Sequence, residues 1–420
     1  MSGPTMGLAA SKAPPFLLPG EHFTAATLFL VLGAIGTIVV APELAAGAYP
    51  SVRVVGVTHL FTLGWITTSI MGALYQFLPV ALGEPIRSVR TGHLTFALYV
   101  PGLAAFVTGL WLGAAAVMLA GAITFGSALL LFALNLGATL RRAPRRDVTW
   151  WALAGADLFL TVTVVLGLAL AGDLRWAYLG AARLTALGTH LHVALGGWVL
   201  LVMVGVAQRL MPMFLLSHGA GDRFARMAVG LIAAGAAVLA VGHHGPPLVS
   251  RWLPAVLLAS GLVSFLCQAR QFYRHRHRPG LDPGLRLAAS AMGLLAVGLV
   301  LAGPVVLGGA SPRLATAYVL VLVLGISLFV AAHYYKVVPF LVWYHRFGSL
   351  AGKRPVPLVS DLYSARAATA ASALLVAGVL TLTGTVAFGI PAAARVGAVV
   401  LTVGVLIEAG QMLALARRTP

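Results

Sequence analysis

The stretch 189-THLHVALGGWVLLVMVGVAQRLMPMF-214 sets two histidines two residues apart at the head of an apolar run and places a proline near its end. A run of this length and character crosses a bilayer, because a spanning helix takes roughly 20 apolar residues. Similar runs recur along the chain with short breaks between them. Twelve are expected, over 22–47, 52–80, 91–113, 115–140, 148–171, 184–214, 225–243, 251–271, 285–309, 313–343, 365–388 and 393–416.

Composition points the same way. Of 420 residues, 60% are hydrophobic and only 9% charged, with a mean hydropathy of +0.96, values foreign to a soluble domain. The expected fold class is all-α, a polytopic membrane protein, with residues 1–420 read as one integral membrane domain. The stretch 1-MSGPTMGLAASKAPPFLLPG-20 has no charged segment followed by a long apolar core, so no cleaved signal peptide is expected and the first helix is read as the insertion signal.

The net charge of +18 raises the question of a polyanionic partner. With the N-terminus in the cytoplasm, 22 of the 28 Lys and Arg residues fall on the inner side, and only Arg53, Arg175, Arg183, Arg251, Arg313 and Arg395 fall outside. That asymmetry follows the positive-inside rule. The basic excess therefore orients the bundle and requires no nucleic acid. A bacterial-type inner membrane, with both termini cytoplasmic, is the expected location.

Cys267 is the only cysteine, which excludes an intrachain disulfide, a C-x-x-C-H haem attachment, a cysteine-ligated iron–sulfur cluster and a two-cysteine copper site. No phosphate loop, Ser–His–Asp set or H-E-x-x-H zinc motif is present.

The second, sixth and tenth helices align on Pro79, Pro212 and Pro339, which are 133 and then 127 residues apart. Counting back from the proline, positions −20, −15, −14 and −7 read His59, Gly64, Trp65 and Gly72 in the second helix. In the sixth they read His192, Gly197, Trp198 and Gly205. The tenth helix keeps less: Tyr335 is in frame with Tyr75, but position −20 is Val319. Three pseudo-symmetric four-helix units are expected, over roughly 22–140, 148–271 and 285–416.

In this topology His59, His190 and His192 sit about 10 Å inside the outer face at 1.5 Å per residue. The seventh helix runs outward and ends in 241-VGHHGPP-247, which brings His243 and His244 to the same level. Neutral imidazole offers one lone-pair nitrogen and can satisfy its other ring N–H on a carbonyl, which suits copper or haem iron in a dry site. Residues i and i+2 of a helix point about 200° apart, so His190 and His192 face different surroundings. An ordinary histidine bonded to a neighbouring helix is the competing explanation for any one of them. Five at one depth favour metal.

These residues resemble subunit I of the haem–copper oxidase superfamily, particularly its nitric oxide reductase and C-family oxidase branch, and also the NnrS-type haem and copper membrane proteins. The resemblance rests on helix count, the repeat, 72-GALYQFLP-79 as a Gly-x-x-Tyr-x-x-x-Pro-like ending, and the adjacent pair His243 and His244 lying 51 and 52 residues after His192. It implies haem b and copper as cofactors, with His59 on a low-spin haem. One assignment completes the haem site with His190 and places copper on His192, His243 and His244; the other pairs His59 with His192 on haem and leaves His190 for the second centre. The family's H-x-H in the tenth helix is absent here, where Ala317 and Val319 stand in those frames. His333 lies about 20 residues into that helix, some 30 Å from its outer end, and does not replace them.

Asp157 and Glu408 interrupt apolar runs. Each is read either as a proton relay or as a neutral acid bonded to a carbonyl of the next helix. Arg209 and Lys336, near inner helix ends, are read as snorkelling. The function expected is a haem- and copper-binding membrane protein that handles nitric oxide or dioxygen in respiration or denitrification. The alternatives are an oxidase or nitric oxide reductase subunit fed by an electron-donor partner or cytochrome, and a small-molecule or metal transporter.

Overall fold

The computed structural model describes residues 14–242 and 245–418. Among these the chain is helical throughout, with no strand and one isolated bridge between Ser217 and Arg276. Twelve helices are long and apolar enough to cross a membrane: α1 (Leu17–Ala45), α2 (Val52–Leu82), α3 (Val89–Leu112), α4 (Ala115–Leu140), α5 (Val148–Trp176), α6 (Gly180–Leu215), α7 (Arg223–Gly242), α8 (Leu248–Arg274), α9 (Pro283–Leu307), α10 (Pro312–Arg346), α11 (Ala365–Phe388) and α12 (Pro391–Ala416). Large apolar side chains such as Leu134, Val165, Val300 and Phe388 remain exposed on their surfaces. Such surface is tolerated where hydrocarbon is the solvent.

The helices begin where short polar side chains satisfy the free N–H groups of the first turn. Ser88 accepts from Thr91 at 3.1 Å, Asp147 from Trp150 at 3.1 Å, Asp282 from Leu285 at 3.1 Å and Ser311 from Leu314 at 3.2 Å. Gly113, Gly308 and Gly389 close α3, α9 and α11 in the left-handed conformation, which lacks the Cβ penalty only in glycine.

Two helices are not α-helical along their whole length. In α2 an α segment Val52–His59 leads into a π segment Leu60–Thr67, then α again over Thr68–Leu82. In α6 the order repeats as Arg183–His192, Val193–Leu200 and Leu201–Leu215. A shorter π turn, Leu248–Trp252, opens α8. The late prolines lie inside α2, α6 and α10 rather than ending them.

The chain forms two compact units: one comprises the described residues up to His22 and those of Ile70–Pro279, the other Phe23–Ser69 with the described residues from Gly280. In the first, α3 and α4 form a tight antiparallel hairpin in which a Cβ on Gly102 would stand 2.7 Å from the Phe125 nitrogen. The α7–α8 pair is equally close, Gly235 lying against Leu258. In the second, α11 and α12 meet through Gly404 against Leu375, while α9 and α10 meet through Gly298 against Leu322. Close backbone approach through small residues is how helices associate where burial from water supplies no drive.

Candidate functional site

His59 and His192 occupy matching places. Each is the last residue of an α segment and immediately precedes an eight-residue π segment. The two helices with an in-frame histidine are the ones that carry this long π segment; α10, with Val319 in that frame, is continuous α-helix. π segments inside α-helices recur at functional sites. Within each lies a Gly–Trp pair. A Cβ on Gly64 would stand 2.6 Å from Phe29 Cβ on α1, and one on Gly197 would stand 2.7 Å from Phe159 Cβ on α5. Trp65 and Trp198 beside them are 1% and 2% exposed.

The two imidazoles are fixed in the same tautomer. His59 Nδ1 is 2.7 Å from the Val55 carbonyl, and His192 Nδ1 is 2.7 Å from the Gly188 carbonyl, four residues back in each case. A carbonyl oxygen can only accept, so Nδ1 carries the proton and Nε2 the lone pair. That is the arrangement a metal-ligating histidine requires.

His190 is directed elsewhere. Its ring packs on α5, where a Cβ on Gly167 would lie 3.1 Å from Cε1. The repeat counterpart of His190 in α2 is Val57, and Val57 packs in the same manner against Gly36 of α1, with Cγ2 2.9 Å from a Cβ placed there. The ring thus takes the place of an aliphatic side chain between paired helices.

His333 donates from Nδ1 to the Phe329 carbonyl at 2.8 Å and lies against the Phe329 ring, 4.4 Å between centroids. Its depth follows from the contact of α2 with α10. Trp65 Nε1 donates to the Ser327 carbonyl at 3.3 Å, and Ser69 bonds the Tyr334 hydroxyl at 2.7 Å, so the two helices run parallel in nearly the proline-aligned frame. Counted through the first contact His59 and His333 are twelve residues apart along the axes, and through the second nine, a separation of about 14–18 Å.

His243 and His244, expected as copper ligands with His192, lie outside the described residues. Among the described residues no three His, Cys, Asp or Glu side chains are grouped to hold one metal ion.

Two ion pairs went unread in the sequence. Asp147, the N-cap of α5, pairs with Arg209 of α6, and Asp282, the N-cap of α9, pairs with Lys336 of α10. Arg209 and Lys336 each stand three residues before the aligned proline. The signal was present in that frame. Two residues after each cap the correspondence continues: Thr149 donates to the Gly205 carbonyl at 3.0 Å, and Gly284 lies against the Ala332 carbonyl, each at position −7. These basic groups are anchored on helix caps.

Of the acids within the membrane, Asp157 is partly buried over Gly137 of α4. Glu408 is 1% exposed, and among the described residues neither of its oxygens has a hydrogen-bond partner. The bond to a neighbouring carbonyl, one of the two readings from sequence, is not formed. On α1, His22 is fully buried between Tyr75 and Phe96, with Nδ1 on the Leu18 carbonyl at 2.8 Å.

No protein-family model matches the chain, and comparison with curated proteins finds no match.

Proposed function

We propose that the chain is a haem b- and copper-binding integral membrane protein of the haem–copper oxidase subunit I type, built from three pseudo-symmetric four-helix units, that binds nitric oxide or dioxygen in a respiratory or denitrification setting. One observation carries the reading: two repeat-related helices each present a histidine with Nδ1 tied to its own helix and Nε2 as the lone-pair nitrogen, immediately before a π segment. An isolated packing histidine explains one such residue. It does not explain the recurrence of frame and π segment together.

In this proposal His59 is the haem ligand and His192 is the metal-facing histidine of α6, joined by His243 and His244 on copper. His190, whose ring packs on Gly167 of α5, is assigned here to α5–α6 packing in preference to the haem. Bound haem iron would supply the site for a diatomic gas. The chain's own contribution is to hold the imidazoles in one tautomer and to keep water away from them. Turnover, where it occurs, draws electrons from a partner subunit or cytochrome.

Visible absorption and elemental analysis of the purified protein test the proposal. Soret and α bands of b-type haem with bound copper are expected, with His243→Ala losing copper and keeping haem. A protein free of both metals, yet binding a transported solute, would replace this reading with the transporter.

A further inference from the structure

One end of the first compact unit gathers arginines that the haem and copper proposal does not use. Here α2 and α4 end and α3 and α5 begin. The link from α4 to α5, 141-RRAPRRD-147, carries Arg141, Arg142, Arg145 and Arg146, all exposed. The link from α2 to α3 adds Arg87, and the first turn of α3 adds Arg90, both exposed as well. Hydrogen bonds pin the second link to the end of α4. The Arg87 N–H donates to the Thr139 hydroxyl at 3.0 Å, the Ser88 N–H to Asn135 Oδ1 at 3.0 Å, and Asn135 Nδ2 back to the Ser88 carbonyl at 2.9 Å. Arg87 is thereby seated beside Thr139, two residues before the run of arginines opens.

The α4–α5 link is itself held in place. Arg142 and Ala143 turn back onto the carbonyls of Thr139 and Leu140 at 3.1 Å each, the Trp150 indole N–H donates to the Leu140 carbonyl at 2.9 Å, and the Arg146 guanidinium lies 5.1 Å over the Trp150 ring. Like charges gathered this way repel, and the acids along 80–160 do not offset them: Asp147 is engaged by Arg209, which leaves Glu84 and Asp157 against six arginines. Within about two turns on each helix the arginines give way to exposed apolar side chains, Val80 on α2, Leu94 on α3, Leu134 on α4 and Trp151 on α5. Orientation in the bilayer asks only for basic charge near its surface. It does not ask for two basic links fastened to one helix end.

Guanidinium forks match phosphate oxygens, and an exposed indole suits the boundary between headgroups and hydrocarbon. A molecule with an anionic phosphate for the arginines and acyl chains for the apolar rim is a phospholipid, and the bilayer presents it at this depth. We propose that this surface is a binding site for an anionic phospholipid, whose phosphate is held by Arg142, Arg145 and Arg146 with Arg87 and Arg90 beside them.

Native mass spectrometry of the full chain, released from dodecylmaltoside micelles containing phosphatidylglycerol or phosphatidylcholine, tests this. The wild type should retain phosphatidylglycerol in preference to phosphatidylcholine by about tenfold or more. Arg142→Gln, Arg145→Gln and Arg146→Gln made together should bring the two lipids close to parity. The same three positions changed to Lys keep the charge and lose the fork, and should retain part of the preference, which guards against a misfolded Gln variant. Removing equal charge from the end of α8, with Arg270→Gln, Arg274→Gln and Arg276→Gln together, should leave the preference unchanged. No preference in the wild type, an unchanged preference in the first Gln variant, or an equal loss in the α8 variant would overturn the proposal. Displacement of the lipid by millimolar glycerol phosphate would also overturn it, marking a site for a free phosphate instead.

Discussion

His190 lies against Gly167 of α5 in the place where Val57 lies against Gly36 of α1. The equivalence means that one member of the His-x-His pair fills a packing slot while the other, two residues on, is presented with its Nδ1 proton spent on the Gly188 carbonyl. His190→Val, which installs the side chain found at the counterpart position, should therefore leave iron and copper content unchanged. His192→Ala should lower metal content severalfold. Metal analysis of the two purified variants side by side checks this.

The Gly–Trp pairs in the π segments fix how α1 meets α2 and how α5 meets α6. Gly64→Ala and Gly197→Ala each force a methyl group to within 2.6–2.7 Å of a phenylalanine Cβ. Each should cost about 1–3 kcal/mol of stability, the usual range for overpacking. Gly230→Ala in α7, where a Cβ meets nothing within 4 Å, serves as the control and should be neutral or slightly stabilising. Unfolding in mixed detergent, followed by tryptophan fluorescence, gives the comparison.

Asp282 does two jobs, capping α9 and holding Lys336. Asp282→Asn keeps a capping oxygen and loses the charge, at a cost of about 1 kcal/mol or less. Asp282→Ala loses both and should cost about 2 kcal/mol. In a Lys336→Met background the Ala substitution should cost only the cap, about 1 kcal/mol. Equal costs in the two backgrounds would mean that the pair contributes nothing.

Trp65 ties α2 to α10 through its indole N–H on the Ser327 carbonyl. Trp65→Phe retains most of the buried ring and removes the bond, so a loss of about 1 kcal/mol or somewhat more is expected, the buried carbonyl being left short of one donor. Denaturant unfolding of this variant beside the wild type measures the loss.

The twelve spans were legible because hydrocarbon solvation demands long apolar runs, and composition alone reports them. The ends were less so. The apolar run of α5 gives out near 171, yet the helix continues to Trp176, because the Asp173 carboxylate accepts the Leu179 N–H at 2.6 Å and pairs with Arg183 at 3.6 Å. The apolar start expected at 22 likewise falls after the real start at Leu17, and the polar turns to Arg274 and Arg346 extend α8 and α10 beyond their hydrophobic runs. Polarity marks where lipid ends, whereas capping marks where the helix ends.

The candidate site was legible in frame but not in direction. Proline alignment brought out His59 and His192 in one frame, and helix geometry sets His190 on another side of α6 from His192. What His190 faces depends on which glycine of α5 passes beneath it, and that is set by helix pairing. The π segments leave no residue pattern to read, since they are a change of hydrogen-bond partner from i−4 to i−5, as in the bond of the Thr68 N–H to the Leu63 carbonyl. The caps of Arg209 and Lys336 were missed because snorkelling explained each basic residue singly. Only the shared position before Pro212 and Pro339 reveals them as one feature.

Haem content of His59→Gly, purified with and without imidazole, tests the central claim most directly. If His59 Nε2 holds iron, the variant should lose its b-type Soret and α bands, and added imidazole, filling the space the side chain has left, should restore them. Unchanged bands in the variant, or a wild type with no haem to lose, would contradict the account.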